Sequence, residues 1–330
     1  PFFINGNEIN IGASIGICIY PKDGNDVNEL IKKADTAMYK AKELGRNNYQ
    51  IYHPDMDAET YEKMIMDRDL RIALRNNEFE VFYQPRIEPL SNILTGAEAL
   101  IRWNHPSKGK LSAGNFIKYA EETGLIAQIG DFVLNNVCSN IKLWNDMGYG
   151  DIKITLNISD IQLRKPDTMA AIKNALEEYK IKPTSLGFEI SGQSIISAPS
   201  VMMNKIKELR EMGINIILED FGTGPISLMN LKDAPVDCVK INGALLKGDS
   251  GDNWSSVSIA ASIIATARNL GKEVIAVGVE NEEQLETVGS LMVDSIQGHL
   301  VSSPLSLDEF SEFIKKYHIQ DNDKGIWLSA

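Results

Sequence analysis

The chain has 330 residues, of which 43% are hydrophobic and 24% are charged, and its formal net charge is −12. This composition is ordinary for a globular protein, and the negative charge disfavours nonspecific binding to nucleic-acid polymers or to anionic membranes. The three cysteines form neither a disulfide framework nor a zinc pattern, and no apolar run is long enough to span a bilayer. We therefore expect a cytoplasmic location and no membrane contact from this chain. Because the sequence does not begin with Met, we expect it to be part of a longer protein, whose remainder could carry a sensor or a membrane anchor.

Residues 1–53 have the pattern of an α+β unit. Asn5-Gly6 is a favourable hairpin turn, and Ile9–Tyr20 has the character of a buried strand. Apolar residues at helical spacing predict a helix over Val27–Leu44, which Gly45 would end. A final strand is predicted over Tyr49–Tyr52.

Three motifs in this segment carry a family resemblance. They are Ala13-Ser14-Ile15-Gly16-Ile17, Ala34-Asp35-Thr36-Ala37-Met38-Tyr39-Lys40-Ala41-Lys42 and Gly45-Arg46-Asn47. The segment resembles the C-terminal third of a GGDEF, or diguanylate cyclase, domain. The loop that names that family is not in this chain, so the resemblance does not imply synthesis of a cyclic dinucleotide here.

From residue 78 onward, short apolar strands alternate with amphipathic helices. Strands are predicted over Phe79–Gln84, Ala97–Trp103, Ile152–Ile158, Leu186–Ile190, Ile214–Phe221, Val236–Ile241, Glu273–Val279 and Ser295–Gly298. Helices are predicted over Ala113–Thr123, Gln128–Met147, Thr168–Tyr179, Ser200–Met212, Ser255–Leu270, Glu282–Leu291 and Leu307–Tyr317. Eight strands interleaved with helices favour a (β/α)₈ barrel. The alternative is a doubly wound open sheet, which would need a glycine-rich phosphate turn that the sequence lacks.

Polar side chains recur at the carboxyl ends of these strands, where barrel active sites lie. Glu219 and Asp220 are adjacent at one strand end, and adjacent carboxylates either form a solvated acidic turn or bind a divalent cation. The other strand-end groups are Glu98, Arg102, Asn157, Glu189, Lys240, Glu280 and Gln297. The oxygen-bearing members suit one or two divalent cations. Lys240 would support a metal-bound hydroxide, and Arg102 would bind a phosphate.

The same strand ends carry a second resemblance. The motifs are Tyr83-Gln84-Pro85, Glu98-Ala99-Leu100 with Arg102-Trp103, Leu156-Asn157-Ile158-Ser159, Asp220-Phe221-Gly222-Thr223-Gly224, Val239-Lys240-Ile241, Gly278-Val279-Glu280 and Gln297-Gly298. They resemble an EAL domain, the cyclic-di-GMP phosphodiesterase family, over residues 78–317. The resemblance implies a modified TIM (β/α)₈ barrel with one antiparallel strand, and magnesium- or manganese-dependent hydrolysis of cyclic-di-GMP to pGpG.

The resemblance also assigns roles to individual residues. Metal ligands would be Glu98, Asn157, Glu189, Glu219 and Asp220. Dinucleotide contacts would be Gln84, Leu100, Arg102, Asp220, Glu280 and Gln297, and the catalytic positions would be Lys240 and Glu280. Several family positions are altered. Val277, Asn242 and Gly192 replace carboxylates, Glu219 replaces an Asp, and Pro225-Ile226 replaces Tyr-Ser in the loop after the fifth strand.

We interpret these replacements as the loss or weakening of the second metal site, because a two-metal site needs negative ligands to offset four positive charges. Three functions stay open: a catalytically silent cyclic-di-GMP receptor, a non-binding scaffold that acts through a protein partner or as a homodimer, and a residual phosphodiesterase. The predicted organisation is a GGDEF fragment (1–53), a linker helix (54–77), an EAL domain (78–318) and a tail (319–330).

Overall fold

The computed structural model describes residues 2–4, 7–9, 12–45, 47–54, 56, 58–196, 200–222, 228–246 and 253–322. Two compact units are present: residues 1–77 with 116–123, and residues 78–115 with 124–330. Among the described residues, no helix combines the length and apolar character needed to cross a membrane. The Asn5-Gly6 turn and the loop residues Thr223-Gly224-Pro225-Ile226 lie outside the described residues, as does most of the tail.

The first unit is a small α+β arrangement. Its elements are β1 (Phe2–Ile4), β2 (Asn7–Ile9), β3 (Ile15–Ile17), α1 (Val27–Glu43), β4 (Tyr49–Ile51) and α2 (Ala58–Asn76). The β1 and β2 strands are antiparallel, and β3 pairs with β4 in parallel. The prediction of a buried strand over Ile9–Tyr20 was wrong, because residues 12–14 and 18–20 lie outside strands, and Ile15 and Ile19 are exposed.

Helix α1 begins and ends as its sequence predicts. The Asp26 side chain accepts hydrogen bonds from the backbone N–H groups of Asn28 and Glu29, which would otherwise lack partners at the helix start. Its C-cap is Leu44, and the next residue, Gly45, has a positive φ of 103°. A left-handed glycine after the last turn ends a helix without steric cost.

The described residues of the second unit contain nine strands. They are β5 (Phe79–Ile87), β6 (Leu94–His105), β7 (Gly109–Ser112), β8 (Ile154–Asn157), β9 (Leu186–Ser191), β10 (Asn215–Phe221), β11 (Cys238–Asn242), β12 (Glu273–Val277) and β13 (Ser295–Gln297). Their order is β5-β13-β12-β11-β10-β9-β8-β6, and β5 also pairs with β6. This pairing closes an eight-stranded barrel, while β7 extends β6 as a hairpin outside the ring. The barrel prediction is confirmed.

One barrel strand runs against the others. Strand β5 is antiparallel to both of its neighbours, β6 and β13, whereas the remaining neighbouring pairs in the ring are parallel. The antiparallel strand implied by the family resemblance is therefore present. A short hairpin turn joins β5 to β6, a connection that antiparallel strands allow and parallel strands do not.

Helices connect the strands of the barrel. They are α3 (Ile117–Thr123, within the first compact unit), α4 (Ile126–Asp146), α5 (Asp160–Arg164), α6 (Thr168–Tyr179), α7 (Gly192–Ile196), α8 (Ser200–Glu211), α9 (Leu228–Asp233), α10 (Asn253–Asn269), α11 (Glu282–Ser290) and α12 (Leu307–Asn322). The short α5, α7 and α9 were not predicted, because helices of five or six residues carry too little apolar periodicity.

The strand interiors are almost continuously apolar, as expected for parallel strands covered on both sides. Ile216, Ile217 and Leu218 on β10 are all inaccessible to solvent. Burial of such side chains contributes about 1.5–3 kcal/mol each, so the sheet is held mainly by the hydrophobic effect. The polar residues that are nonetheless buried at the strand ends identify the site.

Candidate functional site

Polar side chains from six strands meet inside the carboxyl-terminal end of the barrel. Glu189 and Glu219 lie on neighbouring strands, and in the β9–β10 register Glu189 is opposite Ile217, two residues before Glu219. Successive side chains of a strand alternate between faces, so residues two apart share one face. The predicted residues in this interior group are Gln84, Glu98, Glu189, Glu219, Lys240 and Gln297, with Asn157 at its edge.

Three of these residues form a carboxylate cluster: Glu98, Glu189 and Glu219. One ligand oxygen from each lies within 4.8 Å of those from the others. Glu98 is 7% exposed and Glu189 is 1% exposed, so both carboxylates are removed from water. An ionised carboxylate is stable there only when a cation compensates it.

Lys240 supplies that cation. Its Nζ lies 2.6 Å from Oε2 of Glu98 and also donates to Oε2 of Glu189, while its own side chain is 5% exposed. One ammonium group therefore bridges two members of the carboxylate cluster. A divalent ion entering this cluster would bind the same oxygens, so Lys240 and the metal share ligands.

The pKa values follow from this arrangement. Burial favours the neutral carboxyl of Glu98, but the charge and hydrogen bond of Lys240 outweigh it and hold its pKa below the ordinary value. Burial and the nearby Glu189 raise the pKa of Glu219 to about 8. Burial acts to lower the pKa of Lys240, but Glu189 and Glu98 outweigh it and raise that pKa, so the lysine stays charged. Without a metal, the Glu219 carboxyl therefore holds a proton at neutral pH.

Amide side chains fix the orientation of Glu98. Asn157 donates from Nδ2 to Oε1 of Glu98 at 3.0 Å, and Gln297 donates from Nε2 to Oε2 at 2.8 Å. The same Gln297 amide donates to Oε1 of Gln84 at 3.0 Å. The Oε1 atom of Gln297 is buried without a hydrogen-bond partner among the described residues. An acceptor in that state is suited to a cation or to a ligand donor.

Two residues of this site were missed by sequence reasoning. Thr155 donates to Oε1 of Glu189 at 2.5 Å, and the guanidinium NH1 of Arg86 lies 3.8 Å from the same oxygen. Both side chains are buried. The available signal was alternation: Arg86 is two residues after Gln84, and Thr155 is two residues before Asn157, so each shares a face with a predicted site residue.

Glu219 and Asp220 diverge because of a β-bulge. The β10–β11 register shifts between Leu218 and Phe221, which leaves one extra residue on β10. Asp220 has a φ of 51° and is exposed, whereas the neighbouring Glu219 joins the carboxylate cluster. A bulge redirects a side chain in this way. The structure thus brings Glu219 to the interior and places Asp220 at the rim, outside that cluster.

The altered family positions lie around the same opening. Val277 pairs in register with Asn242 on one side and Gln297 on the other, and it packs against the buried Ile217, Cys238 and Ile275. A branched hydrocarbon therefore occupies an interior-facing position between two amides. It can neither bind a cation nor accept a proton.

Gly192 is buried at the start of α7. The preceding Ser191 organises this turn locally, since its Oγ accepts from the backbone N–H of Ser194 at 3.2 Å and contacts the Ser194 hydroxyl at 2.7 Å. A hydroxyl-capped turn thus stands where the family resemblance implies a second carboxylate.

The remaining predicted residues lie toward the rim. Leu100 and Arg102 are half-buried and follow Glu98 on one face of β6. Arg102 donates from NH1 to its neighbour's carbonyl, Ile101 O, at 3.0 Å. Glu280 is exposed just after β12, and its backbone N–H donates to Gln284 at 2.6 Å. The structure does not bring the Glu280 carboxylate into the interior group.

The donor set fits a divalent cation. Three carboxylates within 4.8 Å of one another, with amide oxygens beside them, are the hard oxygen ligands that Mg²⁺ and Mn²⁺ prefer. Glu98, Glu189, Glu219 and Asn157 would hold such an ion. Bound there, it would neutralise a phosphate and activate water.

Comparison with known proteins identifies the family. The family model "EAL domain" matches residues 67–304, and "Diguanylate cyclase, GGDEF domain" matches residues 1–48. The chain is 36% identical over 309 residues to a bifunctional diguanylate cyclase/cyclic di-GMP phosphodiesterase, MucR, of Pseudomonas aeruginosa, covering 94% of this chain and 45% of MucR. It is 37% identical over 314 residues to the signaling protein YkoW of Bacillus subtilis, covering 95% of this chain and 39% of YkoW. The chain thus spans less than half the length of these relatives.

Solved structures agree with the sequence comparisons. The structure described as the MucR phosphodiesterase in complex with c-di-GMP is 33% identical, with a TM-score of 0.71, and the match covers 74% of this chain and 99% of that one. A cAMP-bound form of the EAL enzyme Bd1971 is 27% identical, with a TM-score of 0.73, covering 78% of this chain and 71% of that one. The chain belongs to the EAL domain family of cyclic-di-GMP signalling proteins, and a segment that matches part of a GGDEF domain precedes its barrel.

Proposed function

We propose that this EAL domain binds cyclic-di-GMP at the mouth of its barrel, holds one divalent cation there, and does not hydrolyse the dinucleotide efficiently. It would then act as a receptor or regulatory module in cyclic-di-GMP signalling. The observation that carries the proposal is the asymmetry of the mouth. One side presents the carboxylate cluster, and the other presents Val277 between Asn242 and Gln297.

Retained polar groups support binding. Glu98, Gln84 and Gln297 form one hydrogen-bonded network, and Gln297 Oε1 lacks a partner among the described residues. Arg102 lies on the same strand face and suits a phosphate oxygen pair. The 33% identity to the MucR phosphodiesterase, whose structure is described as a c-di-GMP complex, supports the same ligand for this chain. We place Leu100, Asp220 and Glu280 at the rim of this binding site.

The missing carboxylates at three altered positions are the reason we expect no efficient hydrolysis. Val277, Asn242 and Gly192 supply no negative charge, so a second Mg²⁺ or Mn²⁺ would add two positive charges with fewer ligands to balance them. Lys240 already forms ion pairs with both Glu98 and Glu189. Turnover requires stronger interactions in the transition state than in the ground state, whereas binding requires only shape and charge complementarity. Binding therefore survives changes that abolish cleavage.

Residual phosphodiesterase activity is the second candidate. It is favoured by the carboxylate cluster, which can hold one ion, and by relatives named as cyclic-di-GMP phosphodiesterases. In that case Glu98, Glu189 and Glu219 would hold one ion, which would supply an activated water. The water oxygen would bond to phosphorus, beside Lys240, as one P–O ester bond breaks, and a water proton would pass to the departing 3′ oxygen to give pGpG. Glu219 extends one methylene further than an Asp, and a misplacement of about 1 Å can slow a reaction about 10²-fold.

We infer a cytoplasmic location within a larger signalling protein, with output through a protein partner or homodimer. A non-binding scaffold would use those contacts without the dinucleotide.

The test is calorimetric titration of the chain with cyclic-di-GMP in MgCl₂, followed by chromatography for pGpG. We expect micromolar or tighter binding without conversion. Absence of heat at high ligand concentration would favour the scaffold, and efficient conversion would favour the phosphodiesterase. The variant Val277→Glu, Glu219→Asp, Asn242→Asp and Gly192→Glu, made together, should gain hydrolysis if the groove admits substrate.

A further inference from the structure

A polar strip leads outward from the carboxylate cluster along the β5–β6 pair. Glu98 is opposite Gln84, Leu100 is opposite Phe82, and Arg102 is opposite Glu80. Because these positions alternate by two, all six side chains share the face that contains Glu98. The outer end of this strip, made of Phe82, Arg102 and Glu80, is joined by Lys110 from β7.

Lys110 is held at this place by two contacts. Its Nζ lies 4.4 Å from the centre of the Phe82 ring and 3.1 Å from Oε2 of Glu80. The Arg102 guanidinium lies 5.8 Å from the same ring. Phe82 therefore has two cationic side chains beside it, and an aromatic ring attracts cations through its negatively charged face.

The Lys110–Glu80 ion pair is exposed, since both side chains are 48% accessible. Exposed pairs are weak, with a typical stabilisation of about 0.2–1 kcal/mol. A phosphate can therefore displace Glu80 from Lys110 at little cost. The pKa of Glu309 is lowered mainly by hydrogen bonds from Ser306, and the positive charge of Lys110 also lowers it.

The negative net charge of the chain makes the cations Arg102 and Lys110 important for binding an anionic ligand. The chain carries a formal charge of −12, and a cyclic dinucleotide carries two phosphate charges, so local cations must offset the repulsion. Arg102 is four residues beyond Glu98, so their backbones are about 13 Å apart along β6 at roughly 3.3 Å per residue. The side chains of Arg102 and Lys110 each extend several ångström from the backbone. A dinucleotide with one phosphate at the carboxylate cluster can thus direct its other phosphate toward this end of the strip.

We propose that Lys110 is a dinucleotide-binding residue: together with Arg102 it contacts the phosphate remote from the carboxylate cluster, and Glu80 competes with that phosphate for the lysine. This inference rests on the proposed binding of cyclic-di-GMP. It adds the hairpin strand β7 to the binding site. It also makes Glu80 an antagonist of binding rather than a contact.

The variant Lys110→Met removes the charge and keeps the apolar stem against Phe82. Lys108→Met is the matched control, because Lys108 is an exposed lysine on the same hairpin and its loss changes net charge equally. By calorimetric titration with cyclic-di-GMP, Lys110→Met should weaken binding about 5-fold, and Lys108→Met should change it less than about 2-fold. Glu80→Gln should strengthen binding about 2- to 3-fold, and this gain should vanish in the Glu80→Gln/Lys110→Met double variant.

Repeating the titrations over a range of salt concentrations tests the phosphate contact itself. The affinity of Lys110→Met should depend less steeply on salt than that of the unmodified chain, because one charge contact is gone. Equal effects of the two lysine variants, or an unchanged salt dependence in Lys110→Met, would overturn the assignment while leaving cyclic-di-GMP binding intact. Absence of binding by the unmodified chain would instead overturn the proposed function, and the Lys110 contact with it.

Discussion

The substitution Lys240→Met removes the ammonium group from the carboxylate cluster and keeps most of the side-chain volume. Nζ of Lys240 lies 2.6 Å from Oε2 of Glu98 and also hydrogen-bonds Glu189, and all three side chains are at most 9% exposed. Removing one partner of a buried ion pair costs about 3–5 kcal/mol, because the other charge stays buried without compensation. Since 1 kcal/mol shifts the Tm of a domain this large by about 2–4 °C, we expect a loss of roughly 10 °C without metal.

A divalent cation should reverse this loss. The oxygens of Glu98, Glu189 and Glu219 lie within 4.8 Å of one another, so Mn²⁺ can take the place of the ammonium group. At a concentration 100 times its Kd, a ligand that binds only the folded state stabilises it by about 2.7 kcal/mol. Mn²⁺ should therefore restore most of the Tm lost by Lys240→Met and should raise the Tm of the unmodified chain less.

Thermal unfolding in EDTA and in increasing Mn²⁺ measures both effects. Lys272→Met is the control, because the ammonium of Lys272 donates to the carbonyl oxygens of Ala234 and Val236 rather than to carboxylates. Its Tm should fall less, and Mn²⁺ should not restore it selectively. An equal loss in both variants, or a Lys240→Met deficit that Mn²⁺ leaves unchanged, would refute the idea that lysine and metal share ligands.

Three further predictions concern the same opening. Val277→Glu adds a fourth carboxylate, so it should lower the Tm in EDTA. In calorimetry the same variant should bind Mn²⁺ at least about 10-fold more tightly. An unaltered metal affinity would place this position outside the site. The raised pKa of Glu219, about 8, means that the folded state binds an extra proton. The contribution of Glu219 to metal-free stability should therefore be full below about pH 4.5 and decline as the pH rises through about 8. Glu219→Gln should flatten that decline in pH-dependent urea unfolding, and an identical profile would contradict the assignment. Gly298→Ala places a Cβ 2.1 Å from the Val279 carbonyl oxygen, so urea unfolding should show a free energy of unfolding lower by about 1–3 kcal/mol. The control Gly289→Ala places its Cβ in open space and should not lower this free energy. Equal stabilities of the two variants would contradict this packing.

The barrel could be predicted from the sequence because the barrel strands are apolar runs separated by amphipathic helices. The β10 strand was predicted over Ile214–Phe221 and lies at Asn215–Phe221. Strand β7 was missed because Gly109–Ser112 has only four residues and no apolar alternation. This strand forms because it pairs with the end of β6, and its own sequence pattern does not show that pairing.

The interior group was only partly predictable. Strand alternation places Glu98, Glu189 and Lys240 on interior faces, and the structure brings them together. Nothing in the dipeptide Glu219-Asp220 shows which carboxylate enters the barrel, because the bulge that separates them depends on the register with β11. Arg86 was missed because its strand was predicted to end at Gln84 but continues to Ile87, and Thr155 was missed because it lies before the end of β8; both side chains contact Glu189.

The central claim is that the mouth keeps the dinucleotide intact once it is bound. Labelled cyclic-di-GMP incubated with an excess of the chain in MnCl₂, then separated from free nucleotide and resolved by chromatography, tests this claim directly. We predict that the label stays with the protein and remains cyclic over many hours. Conversion of the bound label to pGpG within minutes would contradict it.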